Sequence, residues 1–159
     1  MNPRAKHVPP RRLRCNHQAT GRRAREDPAM PTITGHFDVR MLPLPESIEG
    51  IGLARHQLDK HYHGTLDATG SGEMLSHRTA TEGSAGYVAI ERVTGSLEDR
   101  RGSFVLQHAG LMAGGAQQLD LQVIPDSADG ELTGLRGRMQ IRIEAGQHEY
   151  TFDYQLDAG

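Results

Sequence analysis

Beyond position 30 the residues able to do chemistry are seven histidines, a lone lysine and a glutamate set in an apolar run. His61 and His63 lie two apart, and on a strand that spacing puts both rings on one face, about 6.6 Å apart along it. Such a pair can supply half of a metal site. The spacing brings no third ligand, however, so solvated surface histidines are the plainer expectation and no metal is assigned. His108 follows Phe104 and Leu106 in phase, and His148 precedes Tyr150 and Phe152 in phase. A histidine on an apolar face is ordinarily a hydrogen-bonded core residue. The functional alternative is a general acid/base inside a cavity.

Glu91 sits within Tyr87-Val-Ala-Ile-Glu-Arg-Val93. If it shares a face with Tyr87, Ala89 and Val93 it points inward, where a carboxylate must be paired or protonated. Pairing of this strand with the next through residues that sum to 197 would set Glu91 beside Leu106 and near His108. A sum of 198 would set it beside Gln107, and a one-residue slip reverses every side chain. Arg92 could then be inside and Glu91 solvated. Lys60 is in phase with Leu58 and Tyr62. If buried, it is a Schiff-base nucleophile or an anion anchor. The plainer expectation is a stem packed across a rim with its head in water.

No Gly-rich phosphate loop precedes a helix, and neither a Gly-x-Ser-x-Gly elbow nor a Cys-x-x-Cys pair occurs. The single cysteine, Cys15, excludes a disulfide framework, and no apolar run is long enough for a membrane helix. The 159 residues suit one domain. The net charge of −2 averages two unlike pieces: residues 1–29 carry +6 and residues 30–159 carry −8. The acidic balance of the second piece opposes nucleic-acid binding.

Residues 1–29 hold four prolines and no aromatic, so a disordered basic tail is expected. The tail lacks the apolar stretch of a secretory signal, and the expected location is cytoplasmic. Met30 is followed at once by strand alternation, so Met30 is read as the working start, with residues 1–29 an upstream extension.

From there the period is two. Leu119, Leu121 and Val123 alternate with polar residues. Met139, Ile141 and Ile143 do the same, then turn at Ala145-Gly146 into His148, Tyr150, Phe152, Tyr154 and Leu156. Ile33, Phe37, Val39 and Met41 set the same rhythm. A long segment is expected from Ile51 to Ala68 with a bulge or bend at Gly64. Further strands are expected at Glu73–Ala80, Ala85–Thr94 and Arg101–Met112, with Gly70-Ser71-Gly72 as a boundary. Pro125–Gly137 is expected to be a loop or one short turn. Eight strands with short links predict an all-β fold, a closed antiparallel up-and-down barrel over residues 30–159. A two-sheet sandwich is the alternative.

Gly83-Ser-Ala-Gly-Tyr-Val-Ala-Ile-Glu-Arg-Val-Thr-Gly-Ser-Leu97 and Gly102-Ser-Phe-Val-Leu-Gln-His108 resemble the signature of a bacterial domain of unknown function, number 3224. Leu58-Asp-Lys-His-Tyr-His-Gly-Thr-Leu66, Gly72-Glu-Met-Leu75, Val123-Ile-Pro-Asp-Ser127 and His148-Glu-Tyr-Thr-Phe-Asp-Tyr154 extend the resemblance over about Met30–Leu156. It implies a barrel like that of allene oxide cyclase, without implying that activity; the cyclase's cysteine has no counterpart after Met30.

Three functional expectations follow. The first is a binder of a small, mostly apolar ligand in or at the mouth of the barrel, lined by Tyr87, Glu91, His108 and Tyr150. The second is a cofactor-independent isomerase or cyclase using His108 and Glu91. The third is a structural or oligomer-forming module with a solid core. No cofactor is assigned. A homodimer through an outer patch that includes Val88 and Ile90 is the remaining partner expectation.

Overall fold

A computed structural model of the chain describes residues 30–156. The expectations for residues 1–29 lie outside the described residues. The strands are β1 (Thr32–Leu44), β2 (Ala54–Gly64), β3 (Leu66–Arg78), β4 (Ala85–Leu97), β5 (Arg100–Ala113), β6 (Ala116–Val123), β7 (Asp129–Gly130), β8 (Arg136–Glu144) and β9 (Gln147–Gln155). Eight long strands form one antiparallel sheet in the order β4-β3-β2-β1-β9-β8-β6-β5, and β4 pairs with β5 to close it. Closure removes both edges that an open sheet would present. Among the described residues no helix is long and apolar enough to cross a membrane.

Alternation decides which face is inside. Leu66, Ala68 and Gly70 of β3, then Ala89, Glu91 and Val93 of β4, are buried, while Val88, Ile90 and Arg92 face out. The Ala145-Gly146 and Gly114-Gly115 links both hold positive φ, as the tight hairpin turns that match strand twist require.

Two expectations about β2 and β3 are corrected. The segment from Ile51 to Ala68 is not one strand: the chain reverses after Gly64, whose φ is 113°, and β3 starts at Leu66. Gly70-Ser71-Gly72 is not a boundary but lies within β3, paired with β2 and β4 throughout. The glycines were misread because their usual role is in turns; here they keep an inward-facing stretch free of side chains.

The two ends of the barrel differ. At one end Leu66, Leu97, Phe104, Phe152 and Tyr154 fill the interior, with Phe104 and Phe152 stacked at 5.8 Å. The segment between β6 and β8 completes this plug. Its β7 pairs with Gly102 and Ser103 of β5, and a turn after it brings Leu132 and Leu135 into the core, each 1% exposed. Arg92, outside the barrel, bonds Ser103 Oγ, which in turn donates to Asp129 Oδ2 at 2.9 Å, fastening this segment to the wall. The other end carries the β1–β2, β3–β4, β5–β6 and β8–β9 links and is open.

Candidate functional site

The open end leads into a cavity of about 240 Å³. Its walls are apolar and come from six strands: Phe37, Val39 and Met41 of β1, Leu58 of β2, Met74 of β3, Tyr87 of β4, Leu119 of β6, and Ile141 and Ile143 of β8. Lys60, His108 and His148 supply its polar surface, with Gln117. A second space of about 440 Å³ lies further out and shares Met41, Met74, Tyr87 and Gln117 with the first. The interior is therefore packed at one end and bears this space at the other.

Beneath the cavity is a buried polar cluster assembled by register. β4 and β5 pair with residues that sum to 197, so Ala89 faces His108 and Glu91 faces Leu106. β3 places Gly72 opposite Glu91, and β2 places Lys60 opposite Gly70. The inward positions of β3 between these strands are Ala68, Gly70 and Gly72. With no side chain at Gly70 or Gly72, the Glu91 carboxylate lies across β3 and reaches β2. A Cβ added at Gly70 would overlap Glu91 Oε1.

Two donors bond that carboxylate and a histidine lies beside it. Lys60 Nζ donates to Glu91 Oε2 at 2.7 Å, and the Tyr62 hydroxyl donates to Oε1 at 2.8 Å. His108 Nε2 lies 3.0 Å from Oε2, but the ring is turned so that no aligned hydrogen bond forms. The contact is thus one of proximity, and Nε2 is left without an aligned hydrogen-bond partner. Lys60 also contacts the Tyr62 oxygen at 3.3 Å and stands over the Phe37 ring at 4.8 Å, a favourable position for a cation. All four side chains are buried; Glu91 and Tyr62 have no exposed surface.

Electrostatics follow from this packing. Burial pushes the Glu91 carboxyl up, but His108 and Lys60 together outweigh it and hold the group below the usual carboxylate range. Glu91 therefore keeps its charge and orients its neighbours rather than exchanging protons. Burial, reinforced by the adjacent Glu91 charge, pushes the Tyr62 hydroxyl well above its usual value, and raises Tyr87 for the same reasons in the same order.

Of the residues singled out from sequence, Glu91 and His108 point inward and meet, and Tyr87 lines the cavity. Tyr150 points inward but is not on the cavity wall. Its hydroxyl donates to His63 O and accepts from Leu66 N, tying β9 to the β2–β3 turn, and burial raises its pKa against the Leu66 contact, which lowers it. Lys60 departs from the expectation of a head in water: the ammonium is buried because Glu91 and Tyr62 satisfy it there. Arg92 is outside. Sequence reasoning missed Tyr62, Gly70 and Gly72. Their common phase with Lys60 on β2, and with Ala68 and Met74 on β3, was the available signal.

His61 and His63 lie on the outer face, 5.1 Å apart between ring centroids, and His63 Nε2 pairs with Asp38 Oδ2 at 3.0 Å. Among the described residues no group of three or more His, Cys, Asp or Glu side chains is placed to hold a metal. Val88 and Ile90 are 55% and 50% exposed, as the inward orientation of Glu91 requires.

Residues 33–154 match the family described as "Protein of unknown function (DUF3224)". A crystal structure of a protein with unknown function from that family, from Shewanella oneidensis MR-1, is 51% identical in sequence. It superposes with a TM-score of 0.78 and covers 82% of this chain and 99% of its own. No curated protein matches significantly. With both the sequence family and a solved member agreeing over the whole barrel, the chain belongs to the DUF3224 family.

Proposed function

We propose that this protein binds a small, mostly apolar ligand in the mouth of the barrel. The observation that carries the reading is the cavity of about 240 Å³, whose walls are aliphatic and aromatic and whose polar groups are confined to a few positions. Apolar walls with few, localised polar groups are the usual makeup of a small-molecule site. Native mass spectrometry of the gently purified protein tests it. A discrete added mass that is lost on denaturation is expected; a chain that carries none and takes up no apolar compound would count against it.

His108 supports a second reading, a cofactor-independent isomerase or cyclase. Its ring lies at the cavity surface with Nε2 unpartnered, and Glu91 beside it fixes the local charge. That arrangement suits proton transfer within a ligand held in one conformation. A compound recovered from the cavity and incubated in D2O should gain deuterium at carbon with the wild-type protein and not with His108→Asn. Equal incorporation with the variant would remove His108 from this role.

A further inference from the structure

We infer that the ligand is an amphiphile with a carboxylate head, seated against Lys60 and His108, and an unbranched apolar tail that passes Tyr87 into the outer space. This rests on the mouth-binding reading and specifies its substrate class.

The head is set by which hydrogen-bonding groups the cluster presents. Glu91 brings the negative charge, but both its oxygens are occupied, Oε1 by Tyr62 and Oε2 by Lys60, and it does not line the cavity. Lys60 and His108 do line it. Lys60 has three N–H donors, of which Glu91 and Tyr62 use two. His108 Nε2 is 97% buried by the exposure of its residue and has no aligned partner. Lys60 thus brings to the cavity wall a positive charge and an N–H that Glu91 and Tyr62 leave free, with His108 beside it. A carboxylate accepts from the Lys60 ammonium with charge to match, whereas an ammonium head would meet Lys60 charge to charge. An alcohol head can satisfy only part of the same donor set.

The tail is set by the shape beyond. The inner cavity is smaller than most small-molecule sites, but the outer space of about 440 Å³ adjoins it and shares Met41, Met74 and Tyr87 in its walls. Tyr87 packs against Gly110, where an added Cβ would overlap its ring, and it lines both spaces. Leu111 and Met112 add apolar surface further out, and flexible methionines suit a chain whose position varies.

Calorimetric titration of the full chain with decanoate, decan-1-ol and decylamine at pH 7 tests the inference. Decanoate should bind about tenfold or more tighter than decan-1-ol, and decylamine should not bind saturably. From hexanoate to decanoate, affinity should rise about three- to fourfold per methylene as the tail enters the outer space. The double variant Lys60→Met/Glu91→Gln removes the ion pair together and should bring decanoate down to the level of decan-1-ol. His108→Phe, which leaves that pair intact, should lower decanoate binding alone and keeps the test valid should the double variant fail to fold. Equal affinity for decanoate and decan-1-ol would overturn the carboxylate head and leave mouth binding standing. If none of the three binds, mouth binding itself is contradicted.

Discussion

The carboxylate of Glu91 occupies the volume that a side chain at residue 70 would need, so Gly70 and Glu91 form one structural unit across two strands. The buried charge exists because its neighbour on β3 has no Cβ.

Gly70→Ala should therefore be costly. The added methyl meets Glu91 Oε1 and lies near the Tyr62 ring, and both side chains are fully buried and hydrogen-bonded in place. A loss of about 2 kcal/mol or more is expected, at the upper part of the range for overpacked cores. Gly86→Ala, whose new methyl would meet only the flexible end of Leu111 at 3.3 Å, should change stability by less than about 1 kcal/mol. Urea denaturation of both variants provides the comparison.

The Lys60–Glu91 pair should behave as a coupled buried pair. Lys60→Met or Glu91→Gln alone strands the partner and should cost about 3–5 kcal/mol. The double variant should cost less than the sum of the singles by about 1–3 kcal/mol. Additive losses in a double-mutant cycle would mean that the 2.7 Å contact carries no energy of its own.

Acid should weaken the fold through Glu91. Its folded-state pKa lies below the ordinary value of 4.5, so the ionised form is favoured by folding. That contribution is present above about pH 4.5 and is lost as pH falls from there through the depressed folded value. The stability gap between the wild type and Glu91→Gln should shrink over this interval. Urea midpoints measured from pH 6 to pH 3 would show it, and a constant gap would contradict it.

At alkaline pH the tyrosines should report the same packing. All four are raised above 10.0, chiefly by burial, Tyr62 well above it and Tyr87, Tyr150 and Tyr154 in the same direction. Tyrosinate absorbance of the native protein at pH 10 should fall well below that of the protein in urea. The neutral hydroxyls add stability below pH 10 that is lost as pH rises through the folded values. The chain has no tryptophan to obscure the signal.

The strand pattern and barrel closure were legible because one face is buried and the other wet, a contrast that alternation records directly. That Tyr87, Ala89, Glu91 and Val93 share one face was legible too, but neither which face of β4 turns inward nor the choice between a register of 197 and 198 was. That choice depends on the Glu98-Asp99 turn, which links β4 to β5 in two residues, with Glu98 at a φ of 55°. Gly64 and Gly70 show the limit most clearly. Both are glycines in an alternating stretch; one reverses the chain and the other makes room for a carboxylate two strands from its ion-pair partner. Lys60 was misplaced for a related reason: its burial depends on Glu91, 31 residues away and invisible to local pattern.

The central claim, a ligand site at the mouth, is tested most directly by methionine-methyl NMR with octan-1-ol as an apolar probe. Met41 and Met74 line the cavity, while Met139 is buried in the core at 2% exposure. Saturable shifts at Met41 and Met74 with Met139 unmoved are the predicted result. Shifts that never saturate, or that fall equally on Met139, would contradict a site at the mouth of this barrel.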